Sequence, residues 1–187
     1  MSYQPSAMSR HYGGGLTFGA DVTEGPVDGR IHDTRVSVNA MARVHFTVQR
    51  QLALPARVVF DELVDWRGHA EWVPMTTVVI ESGDGGAGTT FIATTGLRPL
   101  SLPDRMRVES LDVEKMTVHI SKIGPVLTGD VHLAVHPVTD STCDITWVED
   151  VRVPYLPGFL APPVAFAARK AFEISIKAMA KRARQRV

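Results

Sequence analysis

The sequence predicts an α+β fold, in which one antiparallel β-sheet of about seven strands is followed by a long C-terminal α-helix. Two observations support this prediction. Between Ala42 and Val153, most segments alternate apolar and polar residues, which is typical of strands with one buried face. The last segment, from Pro163 to about Arg184, repeats apolar residues at helical spacing instead.

The first strand and two short helices precede the rest of the sheet. The segment "ARVHFTVQRQL", residues 42–52, places Val44, Phe46 and Val48 on one face and predicts a strand. Pro55 fits the first turn of the helix that follows, because the N–H that proline lacks has no partner there. The stretch "VDWRGHAEWVP", residues 64–74, contains the end of that helix and a second short one.

Six further strands are predicted, joined by links rich in Gly, Pro, Asp and Ser, which favour turns. Such short links join neighbouring strands in antiparallel order. The predicted strands are Thr76–Glu81, Thr89–Thr95, Arg105–Leu111, Lys115–Ile123, Val126–Val138 and Cys143–Val153. The apolar face of the final helix consists of Val164, Ala168, Ala171, Phe172, Ser175 and Met179.

Residues 1–40 differ from the rest of the chain. They are rich in glycine and follow no sustained period, so we expect a flexible N-terminal tail before a single domain of residues 41–187. Met41 stands directly before the first patterned segment, and we hypothesise that it is the true translation start. Peptides from residues 1–40 in the native protein would contradict that hypothesis.

The charge balance argues against a nucleic-acid partner. The chain has 20 basic and 20 acidic residues and a formal net charge of zero, whereas phosphate binding needs clustered positive charge. One basic cluster, residues 181–186, lies at the C-terminus. We interpret it as a favourable cationic helix end, with contact to a polyanion or a membrane as the alternative.

Cysteine content and hydropathy point to the cytoplasm. The single cysteine, Cys143, allows no disulfide within the chain, which suits a reducing compartment. No apolar run approaches the roughly 20 residues that a transmembrane helix needs, although peripheral membrane contact stays open.

No metal site is predicted, and no cofactor. His132 and His136 have a spacing that could share zinc on a helix. They lie on a predicted strand, however, where four residues span about 13 Å. The two imidazoles therefore cannot bind one ion.

The last strand carries an acidic residue on its apolar face. Cys143, Ile145, Trp147 and Val151 alternate with polar residues, and Glu149 shares their face. A buried carboxylate is costly unless it is paired or protonated. Glu149 is then either a structural residue, near the open end of the strand or paired with an arginine such as Arg107, or a polar anchor or general acid/base in a cavity.

The element order and one motif resemble the START/Bet v1-like superfamily, also called SRPBCC or polyketide cyclase/dehydrase-like proteins, over about residues 42–187. Many bacterial members carry a segment like "aP...vf..l.D" before "D-aromatic-x-x-Tyr-Pro-x-Trp-x-Pro". His69 and Ala70 depart from the motif at its tyrosine and first proline. The positions that match are Pro55, Val59, Phe60, Leu63, Asp65, Trp66, Trp72 and Pro74.

The resemblance implies a helix-grip fold, in which a curved antiparallel sheet wraps around the C-terminal helix and encloses a cavity for apolar molecules. On that basis we expect Trp72 to close one end of the cavity, Trp66 to seat the short helices on the sheet, and His69 to be a packing or rim residue. The candidate ligand-binding residues are Trp72, Phe91, Val108, Val118, Ile120, Trp147, Glu149, Phe172 and Met179.

Three functions follow from this interpretation. The first is binding of a hydrophobic small molecule, such as a lipid or polyketide. The second is a polyketide cyclase/dehydratase-type enzyme with Glu149 as its catalytic acid or base. The third is a non-catalytic interaction or stress-related module, which contacts a partner through the basic C-terminus or the apolar stretch "PYLPGFLAPP", residues 154–163. That stretch either packs on the domain or is exposed.

Overall fold

Seven antiparallel strands form one sheet in the computed structural model, which describes residues 41–97, 99 and 101–186. The strands are β1 (Ala42–Leu52), β2 (Thr76–Ser82), β3 (Thr90–Thr95), β4 (Leu102–Asp112), β5 (Thr117–Ile123), β6 (Thr128–Thr139) and β7 (Thr142–Val153). Their order across the sheet is β1-β7-β6-β5-β4-β3-β2. The predicted tail, and with it the hypothesis about the translation start, lies outside the described residues.

Three helices complete the fold. Helix α1 (Ala56–Val64) and helix α2 (His69–Trp72) lie between β1 and β2. A short 3-10 helix (Gly158–Leu160) leads into α3 (Ala161–Ala183). Helix α3 begins two residues before the predicted start, because Pro162 and Pro163 sit in its first turn, where the missing N–H groups are tolerated. The predicted helix-grip fold is thus confirmed.

The sheet is continuous from its first to its last strand. Strand β1 pairs with β7 over its whole length, so that Phe46 lies opposite Glu149. Strand β6 passes close to β7 at Gly129, where φ is +136°. A Cβ atom there would lie 2.2 Å from the Asp150 carbonyl oxygen, so only glycine fits this position.

Helix α3 is buried unevenly along its length. In its C-terminal half, Ser175, Ile176 and Met179 are buried in the core. In its N-terminal half, Val164 and Phe166 remain 37% and 64% exposed. Among the described residues, none of the helices combines the length and apolar composition that crossing a bilayer requires.

A group of charged residues, the Arg182 cluster, joins the end of α3 to α1 and α2. The Arg182 guanidinium lies 2.9 Å from the buried carboxylate of Glu62 and 2.9 Å from the exposed carboxylate of Glu71. It also donates a hydrogen bond to the Gly68 carbonyl. Arg186 lies 2.7 Å from the other oxygen of Glu62. Two arginines of the basic C-terminus are therefore engaged within the domain.

Candidate functional site

A cavity of about 430 Å³ lies between the sheet and the N-terminal half of α3. This volume falls within the range of small-molecule sites. Most of its wall is apolar and comes from β1, β3 to β7 and α3. Three residues of the wall, Thr95, Leu102 and Val164, are also exposed at the surface and mark the mouth.

Five of the candidate ligand-binding residues line this cavity: Phe91, Ile120, Trp147, Glu149 and Phe172. The Phe172 ring is central among them. Its centroid lies 4.7 Å from that of Trp147 and 5.4 Å from that of Phe46, which also lines the cavity. Aromatic side chains from α3, β7 and β1 therefore meet in one wall.

The other four candidates, Trp72, Val108, Val118 and Met179, are buried but lie outside the cavity. The cavity occupies one end of the sheet. On β4, Asp104 and Met106 line it and Val108 does not; on β5, Ile120 lines it and Val118 does not. Alternation identifies the inward face of a strand, but it does not show which part of that face is covered by packed side chains and which part faces a cavity.

The sequence VDWRGHAEWVP forms a packed aromatic group beside the cavity. The Trp66 ring stacks on Phe91 at 5.2 Å between centroids, and its Nε1 donates to the Gly85 carbonyl. The Trp72 ring lies 4.4 Å from that of His69, and it is His69, not Trp72, that lines the cavity.

His69 is buried and uncharged. Its Nε2 lies 2.8 Å from the carbonyl oxygen of Leu63, an acceptor, so this nitrogen carries the proton of the neutral ring. Burial lowers the pKa of His69 to about 4, although the Leu63 hydrogen bond and Asp65 oppose this shift. The ring is therefore neutral at physiological pH.

Three charged side chains, the Lys122 cluster, interrupt the apolar wall. Asp104 on β4, Lys122 on β5 and Glu149 on β7 are 12%, 6% and 7% exposed. The Lys122 ammonium contacts one oxygen of Asp104 directly and lies 3.9 Å from Oε1 of Glu149. Trp147 donates a hydrogen bond of 3.3 Å to the same Glu149 oxygen.

The Lys122 cluster has two carboxyl groups and one cation. Burial lowers the pKa of Lys122, but Glu149 and Asp104 outweigh it and hold that pKa above its ordinary value. Burial raises the pKa of Glu149, and the attraction of Lys122 only partly opposes this. Lys122 contacts Asp104 directly and lies 3.9 Å from Glu149, so it offsets only part of the effect of burial on the pKa of Glu149, which stays above its ordinary value.

The charged neighbour of Glu149 is Lys122, not Arg107, which the sequence analysis gave as an example. Arg107 lies on the opposite face of β4 and pairs with Glu109 at 2.8 Å. Lys122 and Asp104 were not among the predicted site residues. A signal existed for both, because Lys122 continues the alternation of Val118 and Ile120 along β5, and Asp104 precedes Met106 and Val108 on β4.

The apolar stretch of residues 154–163 is largely exposed rather than packed on the domain. Tyr155 and Phe159 are 88% and 78% exposed, and Leu160 is also exposed. Leu156 packs against the core.

Over the described part of the chain, no group of three or more His, Cys, Asp or Glu residues has the arrangement of a metal site.

Comparison with solved structures supports the fold. The Zhui aromatase/cyclase from Streptomyces sp. R1128 is similar with a TM-score of 0.65 and 16% identity, over 77% of this chain and 95% of that one. A START superfamily protein from Mycobacterium smegmatis gives 0.64 and 15%, over 76% and 99%. Norcoclaurine synthase from Thalictrum flavum gives 0.59 and 16%, over 79% and 98%.

Comparison with sequences shows the family. No curated protein was found to match this chain. The family model described as "Polyketide cyclase / dehydrase and lipid transport" matches residues 43–187, which include α3 and all of the sheet except Ala42. The chain therefore belongs to this family.

Proposed function

We propose that this protein binds a hydrophobic small molecule, such as a lipid or a polyketide, in the cavity between the sheet and α3. The observation that carries the proposal is the cavity itself, about 430 Å³ in volume and mostly apolar in its wall. A cytoplasmic location is part of the same proposal, and the single cysteine, Cys143, supports it.

Filling the cavity tests this proposal. Ala168 lines the cavity on α3, and we expect Ala168→Trp to weaken binding of the apolar fluorescent probe N-phenyl-1-naphthylamine about tenfold or more. The reason is that the indole ring takes space that the probe needs. Probe fluorescence titrated against protein measures the dissociation constant.

The neighbouring residue provides the matched control. Ala167 is exposed and lies outside the cavity wall, so Ala167→Trp places the same ring on the same helix without occupying the cavity. We expect its dissociation constant to equal that of the wild type. Equal affinity in all three proteins, or no probe binding by the wild type, would argue against ligand binding in this cavity.

A second candidate function is acid–base catalysis of the cyclase/dehydratase type. The Lys122 cluster favours it, because the buried carboxyl group of Glu149, whose pKa is raised by burial, lies beside a cation in an otherwise apolar cavity. Glu149 would protonate a carbonyl oxygen or a departing hydroxyl, and Lys122 would stabilise negative charge that develops on the substrate. Positioning of a flexible substrate by the aromatic wall would add to the rate.

The Glu149→Gln variant tests this second candidate. Glutamine keeps the shape of the side chain but cannot transfer a proton, so we expect kcat to fall about 100-fold or more. The assay follows β-hydroxy ketones and linear poly-β-ketone mimics by the absorbance of their dehydrated or cyclised products. Catalytic Glu149 is refuted when wild type and variant convert every active compound at the same rate.

A further inference from the structure

The ion pair of Asp104 and Lys122 leaves hydrogen-bonding capacity unused. An ammonium group has three N–H donors, and Asp104 accepts from one of them. The remaining neighbours of the Lys122 Nζ atom are the Met106 sulfur and the Glu149 Oε1 atom, each at 3.9 Å. The separation from Glu149 exceeds the length of a hydrogen bond. At least one donor therefore has no strong acceptor.

The second oxygen of Asp104 is also unused. Its Oδ1 atom is buried and has no hydrogen-bond partner, while Oδ2 contacts Lys122. A buried acceptor without a partner costs roughly 1–3 kcal/mol. Rotation of the carboxylate exchanges its two oxygens, so either one can face the cavity that Asp104 lines while the other contacts Lys122.

Few chemical groups can hydrogen-bond both to the free N–H donor of Lys122 and to the free oxygen of Asp104. A carbonyl or ether oxygen accepts from Lys122 but offers nothing to Asp104. A cationic ligand donates to Asp104 but repels Lys122. A hydroxyl group accepts through its lone pairs and donates through its proton, so one oxygen atom serves both residues.

Resting on the proposed function, we propose that the ligand is an alcohol or a phenol, whose hydroxyl group is bound between Asp104 and Lys122. The body of the ligand is apolar, because it packs on Phe91, Trp147 and Phe172 in the same cavity. Leu102 at the mouth is only two residues from Asp104 on β4, so the hydroxyl lies near the mouth end of the cavity.

Three probes of similar shape separate this inference from the proposed function. 2-Naphthol both donates and accepts a hydrogen bond, 2-methoxynaphthalene only accepts, and 2-methylnaphthalene does neither. Their dissociation constants are measured for the full chain by displacement of N-phenyl-1-naphthylamine. We expect 2-naphthol to bind at least about tenfold more tightly than the other two. The reason is that the other two probes leave the Asp104 oxygen, or both Asp104 and Lys122, without a hydrogen-bond partner.

A double variant tests whether Asp104 and Lys122 cause the preference for 2-naphthol. Asp104→Leu with Lys122→Met removes both charges together, and such replacement of a buried pair by apolar residues is commonly tolerated. We expect it to bind the three probes with equal affinity. The matched control is Glu81→Leu with Arg105→Met, which removes an exposed ion pair one residue further along β4 and should keep the preference for 2-naphthol.

The outcomes are distinct. When the wild type binds none of the probes, the proposed function fails, and this inference with it. When it binds all three equally, the cavity binds apolar ligands but the hydroxyl inference is wrong. A preference for 2-naphthol that survives in the folded double variant also overturns it. The comparison of probes on the wild type decides the matter if that variant does not fold.

Discussion

Replacing Arg182 with methionine is expected to lower the free energy of unfolding by about 3 kcal/mol. Glu62 is 1% exposed, and the largely buried Arg182 lies 2.9 Å from it. Without Arg182, the carboxylate stays buried with only the half-exposed Arg186 beside it. The same change removes the contacts of the guanidinium with Glu71 and the Gly68 carbonyl.

Urea unfolding measures this effect. Arg184→Met is the control, because Arg184 is exposed near the same helix end, and we expect it to change the free energy by less than about 0.5 kcal/mol. Adding Glu62→Leu to Arg182→Met should restore much of the loss, because no buried charge then lacks a partner. A loss below about 1 kcal/mol in Arg182→Met alone contradicts a structural role for the Arg182 cluster.

Acidification is expected to destabilise the wild type by about 3 kcal/mol more than a His69→Phe variant between pH 7.5 and pH 4. The folded ring has a pKa of about 4 because burial disfavours its charge, whereas the unfolded ring has the ordinary value of 6.5. Below pH 6.5 the unfolded state binds a proton that the folded state does not. The contribution is thus fully present above pH 6.5 and is lost as the pH falls towards 4.

Denaturant unfolding at several pH values measures this difference. Phenylalanine has a similar size and no titrating group, so the two stability curves should diverge as the pH falls below 6.5. Loss of the hydrogen bond to the Leu63 carbonyl lowers the variant's stability at every pH, which shifts its curve without changing the slope. Parallel curves between pH 7.5 and pH 4 would show that His69 does not stay neutral in the folded protein.

Much of the fold and part of the site were predictable from local pattern. Alternation identified the inward faces of β5 and β7, and with them Ile120, Trp147 and Glu149 as residues of the cavity wall. The same rule selected Val108 and Val118, which lie in the packed core. The difference depends on where along the strands other elements fill the space above the sheet, and that is a tertiary property that strand periodicity does not contain.

The Lys122 cluster could not be predicted from strand periodicity alone. Its members come from β4, β5 and β7, and Lys122 meets Glu149 across an intervening strand. The residue opposite Lys122 on that strand is Gly129, which has no side chain. Pairing Lys122 with Glu149 therefore needs the strand order and register, whereas the local sequence around either residue offers only a charge on an apolar face.

Because α3 is buried unevenly, the half of the helix that stabilises the fold is not the half that covers the cavity. The C-terminal half of the helix is held by Met179 in the core and by the Arg182 cluster, whereas the half above the cavity has an exposed outer face. Segments with few buried contacts open at a free energy well below that of global unfolding. Under the proposed function, we therefore expect a bound molecule to exchange with solution when only the first turns of α3 move, while the opposite end of the same helix preserves the fold.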